Sequence, residues 1–160
     1  MKKIVIISTL FSVLLMSCSA SKKVARETGN LLSGTWTLAS VSFEGQPGSF
    51  KAVLFNDASD SCFEGSNWFF RDNNNTGRYT LSSSTACNGG DRFFRWSVIT
   101  NDYGTNQLQF KTIDENRKDI SSGYGYRLDI TSITATAMTL KSKVTENGSP
   151  ISVVYEFVKQ

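Results

Sequence analysis

From Gly34 onward the chain consists of short β-type runs separated by turn residues, and no window long enough to matter carries a helical period. The runs are Gly34 to Glu44, Phe50 to Phe55, Asn67 to Arg71, Arg78 to Ser82, Arg92 to Thr100, Gln107 to Ile113, Tyr124 to Ile130, a run around Met138 and Leu140, and Ile151 to Val158. Between them lie Gly45-Gln46-Pro47-Gly48, the tip Asp72 to Gly77, Asn88-Gly89-Gly90, Asn101 to Gly104, the charged Asp114 to Asp119, and Asn147-Gly148. Turn signals roughly every 8 to 12 residues predict an antiparallel sandwich or barrel. Closure is favoured, because aromatic-rich strands would otherwise leave open edges. No repeat of fixed period is present, which argues against a propeller or solenoid.

The start of the chain has another character. Lys2 and Lys3 give a positive beginning, Ile4 to Met16 is apolar, and the small Ser17 precedes Cys18. That is the layout of a signal peptide over residues 1–17. The apolar run falls short of the about 20 residues that a membrane-spanning helix needs. Leu15-Met16-Ser17-Cys18 resembles the lipobox of bacterial lipoproteins, with Met16 where serine, alanine or threonine is usual. The resemblance implies lipidation at Cys18 and anchoring in the bacterial cell envelope through two or more acyl chains. Ser19 then fits sorting to the outer membrane, and the lack of an acidic run after Cys18 fits its periplasmic side. An ordinary secretory signal that ends near a cysteine is the alternative. Residues 18–33 read as the lipidated cysteine and a polar tether, and residues 34–160 as one domain.

The export segment holds two of the 17 basic residues and none of the 14 acidic ones, which leaves a mature charge of +1. With no basic stripe interleaved with aromatics, nothing points to nucleic acid. If Cys18 carries lipid, Cys62 and Cys87 remain, and an even remainder in an exported chain predicts a disulfide. The hairpin between them would itself bring the two together near its open end. A redox or nucleophilic thiol pair is the alternative, but the sequence lacks CxxC spacing and any histidine.

The absence of histidine also excludes Ser-His-Asp catalysis and His-ligated zinc or haem. Paired carboxylates among Asp57, Asp60 and Glu64 are the enzymatic option that remains. Their Asn/Asp/Ser-rich setting reads instead as solvated turns. Neither Asp57 with Asp60 nor Asp114, Glu115 and Asp119 has the spacing of a calcium loop. The sequence predicts no enzyme, no metal and no cofactor.

Leu32-Ser33-Gly34-Thr35-Trp36-Thr37-Leu38 resembles the opening of a lipocalin, a family whose first strand carries Gly-x-Trp. The resemblance implies an up-and-down β-barrel of about eight to nine strands, with Gly34 and Trp36 at its closed end. The order Cys18, Gly34 to Trp36, Cys62, Cys87 and Trp96 is similar to that of small lipocalin-like lipoproteins of the Bacteroidetes type. Tyr126 to Ile130, Met138 to Lys141 and Val154 to Phe157 extend the likeness over the whole domain. Animal lipocalins also carry a Thr-Asp-Tyr segment, an arginine over the tryptophan and a helix after the barrel. Asn101-Asp102-Tyr103 only echoes the first, and no arginine can be assigned over Trp36, so their ligand residues are not transferred.

A small barrel points alternate residues inward, where they pack as core or surround one small ligand. The inward candidates are Phe94, Trp96 and Val98; Leu108 and Phe110; Tyr124, Tyr126 and Leu128; Met138 and Leu140; and Val153, Tyr155 and Phe157. Ten of these are candidate ligand contacts: Phe94, Trp96, Leu108, Phe110, Tyr124, Tyr126, Leu128, Met138, Leu140 and Tyr155. Three consecutive aromatics, Trp68-Phe69-Phe70, cannot all face inward on a regular strand, so at least one points out, either as a surface for a partner or a lipid or accommodated by a bulge or a covering loop. Two functions follow as expectations. One is a membrane-anchored module that binds a small hydrophobic ligand, and the other is an envelope interaction module with a filled barrel and an unknown protein partner.

Overall fold

The computed structural model describes residues 22–45, 51–146 and 149–160. The signal segment, Cys18, the turn at Gln46-Pro47-Gly48 and the turn at Asn147-Gly148 lie outside the described residues. The elements in chain order are α1 (22–32), β1 (Gly34–Glu44), β2 (Val53–Leu54), β3 (Ala58–Ser59), α2 (Asp60–Phe63), β4 (Asn67–Arg71), β5 (Thr76–Leu81), β6 (Gly90–Thr100), β7 (Asn106–Ile113), β8 (Tyr126–Ile133), β9 (Ala137–Glu146) and β10 (Ser149–Lys159).

Eight strands close into a barrel in the order β1-β10-β9-β8-β7-β6-β5-β4. Every neighbour is antiparallel, so this is the predicted up-and-down barrel. The run expected at Phe50 to Phe55 is not a barrel strand. Phe50 lies outside the described residues, and of residues 51–55 only Val53 and Leu54 form a strand, pairing with Ser59 and Ala58 in a separate small hairpin. Leu54-Phe55-Asn56-Asp57 forms its turn, closed by Asp57 N–H donating to Leu54 O at 3.0 Å.

Alternation sends one side chain of every pair inside. Trp36, Leu38, Trp68, Phe70, Tyr79, Phe94, Trp96, Leu108, Phe110, Leu128, Met138, Leu140, Tyr155 and Phe157 are all buried. A bulge in β1 between Leu38 and Ser40 shifts its register against β10. Val41 and Phe43 thereby face the core after the slip, although Trp36 and Leu38 did so before it. Gly77 occupies an inward position at which a Cβ would lie 2.4 Å from Phe94 Cζ. Only glycine leaves the Phe94 ring its place.

The segment read from sequence as part of a polar tether is helical over residues 22–32 and packs on one end of the barrel. Ala25, Thr28, Gly29 and Leu32 form its inner face. Asn106 Nδ2 donates to Thr28 Oγ1 at 3.0 Å. The buried Trp36 ring donates from Nε1 to Leu32 O at 2.8 Å. Lys159 Nζ stands 4.9 Å from that ring's centroid, the place for which the sequence offered no arginine. The same Nζ donates to Leu31 O at 2.9 Å. Gly34, at φ 115°, makes room for Lys159, whose Cε would be 3.1 Å from a Cβ there.

Candidate functional site

The strand directions place α1 and Trp36 at one end of the barrel and the 51–66 connection at the other, which is the mouth. The tip of the β2–β3 hairpin enters that mouth. Phe55 and Asn56 have φ values of 53° and 51°. Left-handed backbone suits a two-residue hairpin turn and usually selects asparagine or glycine. A phenylalanine there is held at a cost of about 1 kcal/mol or more.

Packing compensates for that cost. Five rings surround the Phe55 ring, with centroids at 5.1 Å for Phe110, 5.2 Å for Tyr126, 5.4 Å for Phe63, 5.7 Å for Tyr155 and 5.9 Å for Trp68. Four of them meet it edge to face and Tyr155 stacks on it, arrangements that aromatic quadrupoles favour. Phe63, fully buried, comes from α2, and the neighbouring Cys62 is joined to Cys87 by the predicted disulfide.

Polar groups fix the same tip. Tyr126 Oη donates to Phe55 O at 2.6 Å. The Asp57 carboxylate accepts from Arg92 Nε at 2.9 Å and Nη2 at 3.2 Å, and from Tyr79 Oη at 3.0 Å. Arg92 is held independently, because Nη1 donates to Gly90 O at 2.9 Å and Nη2 to Asn88 O at 2.7 Å. Burial first, and the adjacent Asp57 charge second, raise the Tyr79 hydroxyl above an ordinary tyrosine. The same two causes raise Tyr126, and burial raises Tyr155. All three phenols stay neutral at physiological pH, and those of Tyr79 and Tyr126 donate.

Of the ten candidate ligand residues, Phe110, Tyr126 and Tyr155 touch Phe55 directly. Phe94, Trp96, Leu108, Leu128, Met138 and Leu140 pack in the interior around and below them. Tyr124 does not join them, being 77% exposed. Strand β8 begins only at Tyr126, and Tyr124 N–H donates to Ser121 O in a turn, so the alternation does not reach back to it. Trp68 and Phe70 face inward, and Phe69 alone is turned outward, with Arg71 Cζ 5.7 Å from its ring centroid.

The carboxylates resolve into separate duties. Asp57 binds Arg92, Glu64 Oε1 accepts from Val41 N–H at 3.0 Å, and Asp119 pairs with Lys111. Among the described residues no three metal-ligating side chains converge. The sequence singles out neither Phe55, Phe63, Tyr79 nor Arg92, and it offers Asp57 only as a carboxylate to pair with Asp60 or Glu64, whereas its partners are Arg92 and Tyr79. One signal was available, because Arg92 shares the parity of Phe94, Trp96 and Val98 and so is a cation on an inward face.

A cup-shaped antiparallel barrel, blocked at one end by a tryptophan and a helix and plugged at the other by a ring-caged loop, is the class that these elements define. The chain belongs to the lipocalin-like domain family, whose model matches residues 32–140. Bovine odorant-binding protein in complex with a selenium-containing odorant aligns at 14% identity and a TM-score of 0.42, over 82% of this chain and 72% of that one. Odorant-binding protein from bovine nasal mucosa aligns at 15% identity and a TM-score of 0.41, over 81% and 72%. No curated protein gives a match.

Proposed function

We propose that this protein is a lipid-anchored module of the bacterial envelope that binds a small hydrophobic molecule at its mouth, with Phe55 giving way to the ligand. Anchoring rests on Leu15-Met16-Ser17-Cys18, and the fit to the outer membrane's periplasmic side rests on Ser19 and the residues after it. Cys18→Ala should release the protein from membranes.

The observation that carries the binding reading is the cage itself. Five aromatic rings enclose a sixth that belongs to a loop, not to the barrel wall, and that loop is held in a strained backbone. Withdrawal of the tip would leave an apolar, ring-lined recess with phenol donors at its edge, the composition of a small-molecule site. Native mass spectrometry before and after denaturation, with uptake of hydrophobic probes followed in parallel, tests this. A ligand mass lost on denaturation, or probe uptake that Phe55→Ala increases, supports binding. A bare mass with no uptake by either protein overturns it.

A filled-barrel interaction module is the second reading, and dense interior packing favours it. Its surface would be the depression of about 760 Å³ outside the barrel, lined by Arg95, Gln109, Lys111, Tyr124 and Arg127.

A further inference from the structure

We infer that the ligand is a hydrophobic carboxylate, whose acid takes the place of Asp57 on Arg92 and Tyr79 while its apolar body takes the place of Phe55. This rests on the reading that the hairpin tip is displaced. The tip presents three chemical groups to the barrel, and each has its own receptor. Its phenyl ring fills the cage, its carbonyl accepts from Tyr126, and its carboxylate accepts from Arg92 and Tyr79. The tip is thus a ligand supplied by the chain itself, and its groups describe what can replace it.

Charge selects among hydrophobic molecules. The Arg92 and Asp57 side chains are only 19% and 21% exposed. A neutral ligand that pushed the tip aside would strand a guanidinium that is largely out of water, and the buried Tyr79 hydroxyl would lose its acceptor. Both losses are costly. An acid restores both, with the planar two-point geometry that arginine offers a carboxylate. The receptor is also preorganised. Asn88 O and Gly90 O keep hold of the guanidinium whether or not Asp57 is there, on a loop tied down by Cys62–Cys87. Electrostatic stabilisation of the anion therefore needs no rearrangement of Arg92.

Calorimetric titration of the full mature chain in lipid nanodiscs, with empty nanodiscs as the blank, tests the assignment. The probes are phenylpropanoate, phenylbutanoate and phenylhexanoate, each against its primary amide. The acids should bind about tenfold or more tightly than the amides, the weight of one charge-assisted contact. Asp57→Asn, which removes the internal competitor, should widen that preference. Arg92→Gln should abolish it while leaving amide binding. Equal affinity of acids and amides, or a preference that survives Arg92→Gln, overturns the carboxylate assignment and leaves hydrophobic binding intact. Should Arg92→Gln fail to fold, an unchanged preference in Asp57→Asn overturns it equally. If no acid or amide binds either the native protein or Phe55→Ala, the mouth itself is not a binding site.

Discussion

The two ends of the barrel are closed by aromatic residues in opposite ways. At the α1 end, Trp36 belongs to a barrel strand, is fully buried, and gives its one polar atom to Leu32 O. At the mouth, Phe55 belongs to a loop, is half-buried, and sits on a left-handed backbone. Its hairpin is secured by an ion pair that water partly reaches. One closure is part of the wall and is relaxed. The other is an inserted part under tension, and its removal would leave the wall standing. Closure of both ends by aromatic rings therefore does not mean equal permanence.

The largest test of that contrast is Trp36→Ala. It should destabilise the fold by about 3–5 kcal/mol in denaturant titration, the usual loss for a buried aromatic. Loss of the disulfide, in Cys62→Ala with Cys87→Ala, should cost about 3–4 kcal/mol if chain entropy dominates. Hydrogen exchange in that variant should rise around the mouth and stay slow at Trp36. Phe55→Ala should cost less than about 2 kcal/mol, because relief of backbone strain offsets part of the lost packing. A cost equal to that of Trp36→Ala would erase the distinction between the two ends.

Alkali probes the mouth through its buried phenol. Tyr79 is raised in the folded state above the ordinary 10.0, so the folded protein holds the proton more tightly than the unfolded chain does. The Tyr79 contribution to stability should be level below pH 10 and be lost above it, as unfolded tyrosine ionises first. Tyr79→Phe should flatten that loss in unfolding midpoints measured against pH. The smallest effect expected is for Lys159→Met. Loss of its cation–π contact with Trp36 should lower stability by about 1 kcal/mol or less.

Strands were legible from the sequence wherever alternation was strict. Phe94, Trp96 and Val98 against Arg95 and Ser97 is such a case, and burial follows that parity along β6. The helix α1 was not legible, because its inner face is Ala25, Thr28, Gly29 and Leu32. The spacing is helical, but only Leu32 is strongly apolar, so a hydrophobic period could not register. Tyr124 misled for the converse reason: its alternation with Tyr126 is real in sequence, yet the backbone turns before the strand begins. The plug was hidden more deeply. Phe55-Asn56-Asp57 reads as the ragged end of a strand, and only tertiary contact with Arg92 and the five rings gives it a role. Asp57 and Arg92 are 35 residues apart, beyond the reach of any local pattern.

The seam between β1 and β10 also sets the order of events in time. Trp36 faces Lys159 across that seam, and Gln160 N–H donates to Thr35 O at 2.9 Å. Pairing of such distant segments requires closure of a very long loop before any contact rewards it, which slows folding. The β4–β5 and β6–β7 hairpins can form early, but they form an open, curled sheet. The barrel can become a barrel only when β10 arrives, and until then the aromatic interior is exposed along an unpaired edge. During that interval the chain is most vulnerable to aggregation.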